Sequence, residues 1–225
     1  AVAFDVKKLK ITTDINELVS ACDIVVLATP SIYLADAIEK MTCDYEGKLF
    51  VSAIKGIVPK HNDVVAHYLR DVFKIGFRSQ AVIAGPCHAE EVAMERLSYL
   101  TIAAAEKEHI DALRELFTSD YIKVSCSTDI LGNEYSAILK NIYAIAAGIA
   151  SGLGYGDNFN AVLVSNAIRE MELFLDAVYP EHREVNDSAY LGDLLVTAYS
   201  LFSRNRNLGN LIGKGYTVKS AVQSM

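Results

Sequence analysis

Apolar residues in the first half of the chain come in short, β-rich runs: DIVVLAT at 23–29, LFVSAI at 49–54, AVIA at 81–84 and LTIAA at 100–104. Such runs are too short for buried helices and too continuous for a sheet with one wet face, so they predict strands covered on both sides. Between them the spacing turns helical, near residues 15–21, 34–41, 64–72 and 110–117. Alternating β and α is the pattern of a doubly wound parallel sheet. After about Ile130 the pattern changes to long helices over 133–150, 160–178 and 193–202, with another start near Thr217. The sequence therefore predicts an α/β region, 1–130, followed by an all-α region, 131–225.

Lys140 is the polar residue that stands out most against this pattern. It lies in NEYSAILKNIYAIAAG, residues 133–148. At helical spacing Tyr135, Ile138, Leu139, Ile142, Ile145 and Ile149 form one broad stripe, predicted to face the core, while Lys140 shares a face with Ser136, Ala137, Ala144 and Ala147. That face is small-sided and is predicted to leave room for a ligand. The neighbours three and four residues away are Ser136, Ala137, Tyr143 and Ala144, so no local acid can pair with the ammonium. A buried lysine needs a partner from elsewhere, and such a site tunes it for proton transfer or for holding an anion. A lysine snorkelling from the core edge fits the same pattern.

Composition narrows the classes. The formal charge of −7 argues against general nucleic-acid binding, which calls for a basic face. No run of 18 apolar residues occurs, so stable membrane insertion is not expected. The first ten residues carry Asp5, Lys7, Lys8 and Lys10 and lack the apolar core of a secretory leader, which points to the cytoplasm. Cys22, Cys43, Cys87 and Cys126 lie far apart, as reduced thiols do, and no metal-binding spacing is present.

Candidate chemistry collects at a few turns. The strands end in Thr29-Pro30-Ser31, Lys55-Gly56 and Gly85-Pro86, and open α/β sheets bind ligands at these carboxyl ends. Asp193 follows Gly192 where a helix begins, a common N-cap position. Ser203-Arg204-Asn205-Arg206-Asn207 is rich in donors, with guanidinium geometry suited to phosphate or simply to a solvated helix end. Cys87 and His88 are adjacent, but successive side chains diverge, so they make a poor nucleophile–base pair. The Gly152–Gly156 run follows a helix instead of a strand, the wrong context for a phosphate loop.

Six segments in order, SAIKG (52–56), AGPCHAE (84–90), AILKNI (137–142), GYGDN (154–158), GDLLVT (192–197) and SRNR (203–206), resemble the bacterial-type NAD(P)-dependent glycerol-3-phosphate dehydrogenase family. The resemblance implies an incomplete Rossmann-like sheet, the remainder of a dinucleotide-binding domain, followed by a helical substrate and catalytic domain. It also makes the chain a fragment, without the amino-terminal glycine-rich turn and the carboxy-terminal end, and expected to bind NAD(P)H poorly or not at all. The implied activity is reduction of dihydroxyacetone phosphate to glycerol 3-phosphate with NAD or NADP as cofactor, for phospholipid synthesis, by a cytoplasmic homodimer.

Residue by residue, Lys140 matches the family's catalytic lysine, and Lys55 a second lysine touching substrate and cofactor. Asp193 would anchor these lysines or a substrate hydroxyl. Gly85, Cys87, Asn141, Thr197, Ser203, Arg204 and Asn205 are the remaining substrate-binding candidates, with Ala89 and Arg204 also near the cofactor. Cys87-His88 departs from the family, which usually carries a hydroxyl residue and then Phe there; a thiol is a weaker donor. The competing readings are a dehydrogenase of the same architecture acting on a carboxylate, of the ketopantoate reductase or 3-hydroxyacid type, and a catalytically silent dimeric module.

Overall fold

The computed structural model describes residues 6–225. Residues 1–5, half of the segment read as lacking a secretory leader, lie outside the described residues. Five strands form one sheet in sequence order: β1 (Ile24–Leu27), β2 (Leu49–Ser52), β3 (Gln80–Ala84), β4 (Ser98–Ala104) and β5 (Ile122–Ser127). The register sets Val25 against Phe50 and Val51 against Ala81. Helices α1 (Ile15–Ala21), α2 (Ser31–Ile38), α3 (Val65–Phe73) and α5 (Lys107–Phe117) cover it. Successive residues of β2 serve opposite faces, as strand geometry requires. Phe50 packs with Leu34, Ile38, Tyr68 and Leu69 on one side, and Val51 with Ala81, Ile102 and Leu113 on the other.

The sheet is not wholly parallel. β1, β2 and β3 are parallel, as are β4 and β5, but β3 and β4 run antiparallel, with Ile83 opposite Ile102. The link between them explains why. Its helix, α4 (Ala89–Ala93), has five residues and spans about 8 Å, too short to return the chain along the full length of β3, about 17 Å. Gly85, at a φ of +104°, turns the chain at once, and the Tyr99 N–H donates to the Pro86 carbonyl. β5 is an addition to the strands expected from the sequence. Its residues, IKVSCS, alternate between half-buried and exposed at the sheet edge, where no continuous apolar run is needed.

The carboxy-terminal half contains α6 (Ile130–Gly152), α7 (Gly156–Val178), a π turn (Ser188–Gly192), α8 (Asp193–Tyr199), α9 (Arg204–Gly213) and α10 (Val218–Gln223). The first turns of α6 pack on the sheet, Ile130 and Leu131 meeting Val64, Val82 and Ala103. Further along, α6 reverses the expected orientation. Its small-sided face, Ser136, Ala137, Lys140, Ala144 and Ala147, is the buried one, while Ile142 is 56% exposed and Ile138, Leu139, Ile145 and Ile149 are half-buried.

The physical reason is the packing of three helices here: Tyr143 and Ala147 meet Val164 and Met171 of α7 and Leu194 of α8, and α9 crosses closely beside them. A Cβ at Gly148 would collide with the Arg206 carbonyl oxygen, and one at Gly209 would collide with that of Ile145. Gly152 and Gly213 oppose each other in the same way one turn later. Two backbones this close admit only glycine at the crossing and small residues beside it. α9 itself gives little signal in the sequence because RNRNLGNLIG is polar and carries two glycines, a weak intrinsic helix.

Candidate active site

The carboxyl ends of β1 and β2 face α9 and α10 across a cavity of about 710 Å³, lined by Thr29, Ser31, Ile54, Lys55, Arg204 and Asn205 among others. Ser31 and the strand-exit turn fit tightly: a Cβ at Gly56 would meet the Ser31 Oγ at 2.6 Å. Arg204 is the first residue of α9 and forms no ion pair among the described residues. Its free guanidinium and the helix N-terminus together suit a phosphate.

Beside the cavity lies an acid with two lysines. Asp193 opens α8 and is 1% exposed. Its Oδ1 pairs closely with Lys140 Nζ, and its Oδ2 lies 3.7 Å from Lys55 Nζ. Lys140 is 5% exposed, whereas the Lys55 side chain is 34% exposed and reaches the cavity. Burial is the main force on Lys140, pushing its pKa down to about 8; Asp193 opposes that shift and the nearby Lys55 adds to it. Asp193 Oδ2 is buried and makes no hydrogen bond, so it keeps an unused acceptor beside Lys55.

Neighbouring groups hold this arrangement. The Thr197 hydroxyl donates to the Asp193 carbonyl at 2.6 Å, fixing the first turn of α8 behind the carboxylate. Asn141 Nδ2 donates to the Lys55 carbonyl at 3.5 Å and to the Ala137 carbonyl at 3.2 Å. Cys87 is near enough to feel the charges of both Lys55 and Asp193, and burial pushes its thiol up, so it is not an activated nucleophile.

The sequence also matches known proteins over most of its length. The family model described as NAD-dependent glycerol-3-phosphate dehydrogenase N-terminus covers residues 4–110, and the corresponding C-terminus model covers residues 129–225. The chain belongs to the NAD-dependent glycerol-3-phosphate dehydrogenase family. It is 36% identical to glycerol-3-phosphate dehydrogenase [NAD(P)+] of Syntrophomonas wolfei over 95% of this chain and 63% of that protein. The corresponding figures for the Exiguobacterium enzyme of the same name are 34%, 97% and 65%. The chain thus spans somewhat less than two thirds of the curated relatives it matches. Among solved structures, the crystal structure of glycerol-3-phosphate dehydrogenase from Coxiella burnetii superimposes with a TM-score of 0.86 at 27% identity, covering 94% of this chain and 64% of that one.

Set against this family's expected site, the structure brings Lys55, Lys140, Asp193, Asn141 and Cys87 into one neighbourhood, and places Lys55, Arg204 and Asn205 on the cavity wall. Ser203 is buried, and its hydroxyl caps α9 by accepting from the Arg206 N–H at 3.3 Å, which leaves its proton to donate. Gly85 packs against the backbone of β4, where an added Cβ would stand 3.1 Å from the Tyr99 carbonyl oxygen, and Ala89 is exposed at the start of α4. Neither lines the cavity. Leu208, Val222 and Met225 do, and nothing in the local sequence marks them, because a residue's place on a cavity wall depends on how α9 and α10 fold back.

Proposed function

We propose that the protein is an NAD(P)-dependent glycerol-3-phosphate dehydrogenase that reduces dihydroxyacetone phosphate to sn-glycerol 3-phosphate for glycerophospholipid synthesis. The observation that carries this reading is Asp193 facing two lysines, one buried and one at the rim of a cavity that also presents a free arginine. In this reading the region before residue 130 holds the cofactor and the helices after it supply the catalytic groups.

The residues at the cavity fit a nicotinamide dinucleotide: it lies at the carboxyl ends of two parallel strands, beside the uncapped N-terminus of α2, with the Arg204 guanidinium opposite. NADH or NADPH, when bound, supplies the hydride. Lys140 then delivers its proton to the substrate's carbonyl oxygen. A lysine pushed down to about 8 is still largely protonated at neutral pH yet gives up its proton far more readily than an ordinary one. Lys55, in contact with both solvent and Asp193, positions the substrate oxygen and supports return of a proton. The free Oδ2 of Asp193 accepts from the substrate hydroxyl, while Arg204 and the first amides of α9 hold the phosphate.

The same reading makes the protein a cytoplasmic homodimer. Phe159, Val162 and Leu173, exposed on one face of α7, are residues that a second copy would cover. No described helix is long and apolar enough to cross a membrane.

The deciding experiment follows NAD(P)H oxidation by the full-length protein with dihydroxyacetone phosphate, ketopantoate and a 3-keto acid in parallel. Turnover of the phosphate substrate alone is the expected result. Turnover of a carboxylate substrate instead, or of none, overturns the reading.

A further inference from the structure

Glu134 is a buried acid outside the lysine–aspartate group. It is 3% exposed, lies on α6 six residues before Lys140, and forms no ion pair among the described residues. Its Oε2 accepts from the Ala66 N–H at 2.9 Å. Ala66 is the second residue of α3, a helix whose own N-cap, Val64, supplies no side-chain bond. Glu134 therefore caps α3 from a different element, where the helix dipole favours a carboxylate. The Ala66 carbonyl is held as well, by Gln80 Nε2 at 3.1 Å, so the first turn of α3 is fixed at both polar groups. The other oxygen, Oε1, is buried without a hydrogen-bond partner, and the Ser52 hydroxyl lies near enough to the carboxyl to favour its charged form.

Ser52 is the last residue of β2, three before Lys55. Seven residues along α6 from Glu134, two turns on and on the same face, Asn141 donates to the Lys55 carbonyl. One face of α6 is thus hydrogen-bonded at two points, to the start of α3 through Glu134, with the Ser52 hydroxyl nearby, and to Lys55 through Asn141. The neighbouring face of the same helix carries Lys140.

We propose that Glu134 is a positioning residue for the lysine pair: by tying α6 to the start of α3 and the end of β2, it sets the relation between Lys140 and Lys55 at Asp193. The proposal rests on the reading of these lysines as the reacting centre. A carboxylate buried without a cation costs stability, and burial holds Glu134 up to about 7. A residue that served packing alone would gain by being apolar, whereas a tether to a backbone amide needs an oxygen.

Two readouts test it, one of them independent of turnover. In the first, kcat and KM for dihydroxyacetone phosphate are measured for the full-length protein and for Glu134→Ala, Glu134→Asp and Glu134→Gln. In the second, acetylation of Lys140 by acetic anhydride is followed by peptide mass spectrometry relative to exposed Lys123. Displacement of the lysines predicts a kcat lower by about 10- to 100-fold in the Ala and Asp variants, with KM little changed, and Lys140 acetylated several-fold faster. Gln keeps an oxygen for Ala66 and restores both. Should the Ala variant fail to fold, the Asp and Gln variants carry the same comparison. Unchanged kcat and unchanged labelling in the Asp variant overturn the proposal, and so does a Gln variant as impaired as the Asp variant. A wild-type protein without activity on dihydroxyacetone phosphate overturns the proposed function, and the labelling comparison still decides the role of Glu134.

Discussion

Lys140 and Asp193 form an ion pair buried on both sides, the lysine from the middle of α6 and the aspartate from the first residue of α8. Taking two charges from water costs several kcal/mol each, and their attraction recovers this only with good geometry. Here the aspartate keeps one oxygen unbonded and a second lysine within 3.7 Å of it. A pair built for stability alone would have that oxygen satisfied; this one leaves it facing Lys55, which lines the cavity.

Replacing Lys140 with Met removes the proposed proton donor while keeping most of the side-chain volume. The expected loss in kcat is about 100-fold or more, accompanied by a loss of about 3 kcal/mol in stability, because Asp193 is left buried with only a distant partner. Steady-state NADH oxidation and urea unfolding measure the two effects separately.

Asp193→Asn moves the pH profile. With Lys140 as the proposed acid, reduction needs it protonated, so kcat is expected to be high below its pKa of about 8 and to fall above it. Asp193 raises that pKa, so removing its charge shifts the alkaline fall to lower pH, by roughly one unit or more. A profile of kcat from pH 6 to 10 that keeps its alkaline limb in place would contradict the assignment of Lys140 as the acid.

Gly148→Ala forces a methyl group against the Arg206 carbonyl of α9. Overpacking of this kind costs about 3 kcal/mol, lowering Tm by roughly 6–12 °C in a protein of this size. Because α9 carries Arg204 and Asn205, KM for the phosphate substrate is expected to rise more than kcat falls. Differential scanning calorimetry and substrate titration check both parts, and an equal stability loss with unchanged KM would separate the helix crossing from substrate binding.

Glu134 makes stability depend on pH in the direction opposite to a salt-bridged acid. Its folded pKa is raised from 4.5 to about 7 by burial, so between these values the folded state holds a proton that the unfolded state has released. Its contribution is fully present below about 4.5, declines as pH rises to about 7, and is constant above that. The decline is about 3 kcal/mol. Glu134→Gln is expected to flatten this part of the stability curve and to be the more stable protein at pH 8, measured by denaturant unfolding across the range.

The sequence by itself determined the alternation of strands and helices, the change to long helices after Ile130, and the prominence of Lys140, because hydrophobic period and the absence of a local acid are properties of neighbouring residues. Together with the family resemblance it also marked Lys55, Asp193 and Arg204 before their positions were known. It misjudged β4, because strand direction depends on whether a connection is long enough to cross the sheet, and it turned α6 the wrong way round. A stripe of large apolar residues is ordinarily the buried one, but α7 and α8 pack on the small face and the backbone of α9 crosses beside it at Gly148 and Gly209, and only the packed helices reveal that. Tertiary structure alone decided that Asp193, 53 residues from Lys140 in the chain and marked only by the resemblance, closes on Lys140 with one oxygen and faces Lys55 with the other, that the Ser203 hydroxyl also caps α9, and that Glu134 reaches α3. Each of these is a contact between distant segments, fixed by how helices pack and therefore absent from any local pattern.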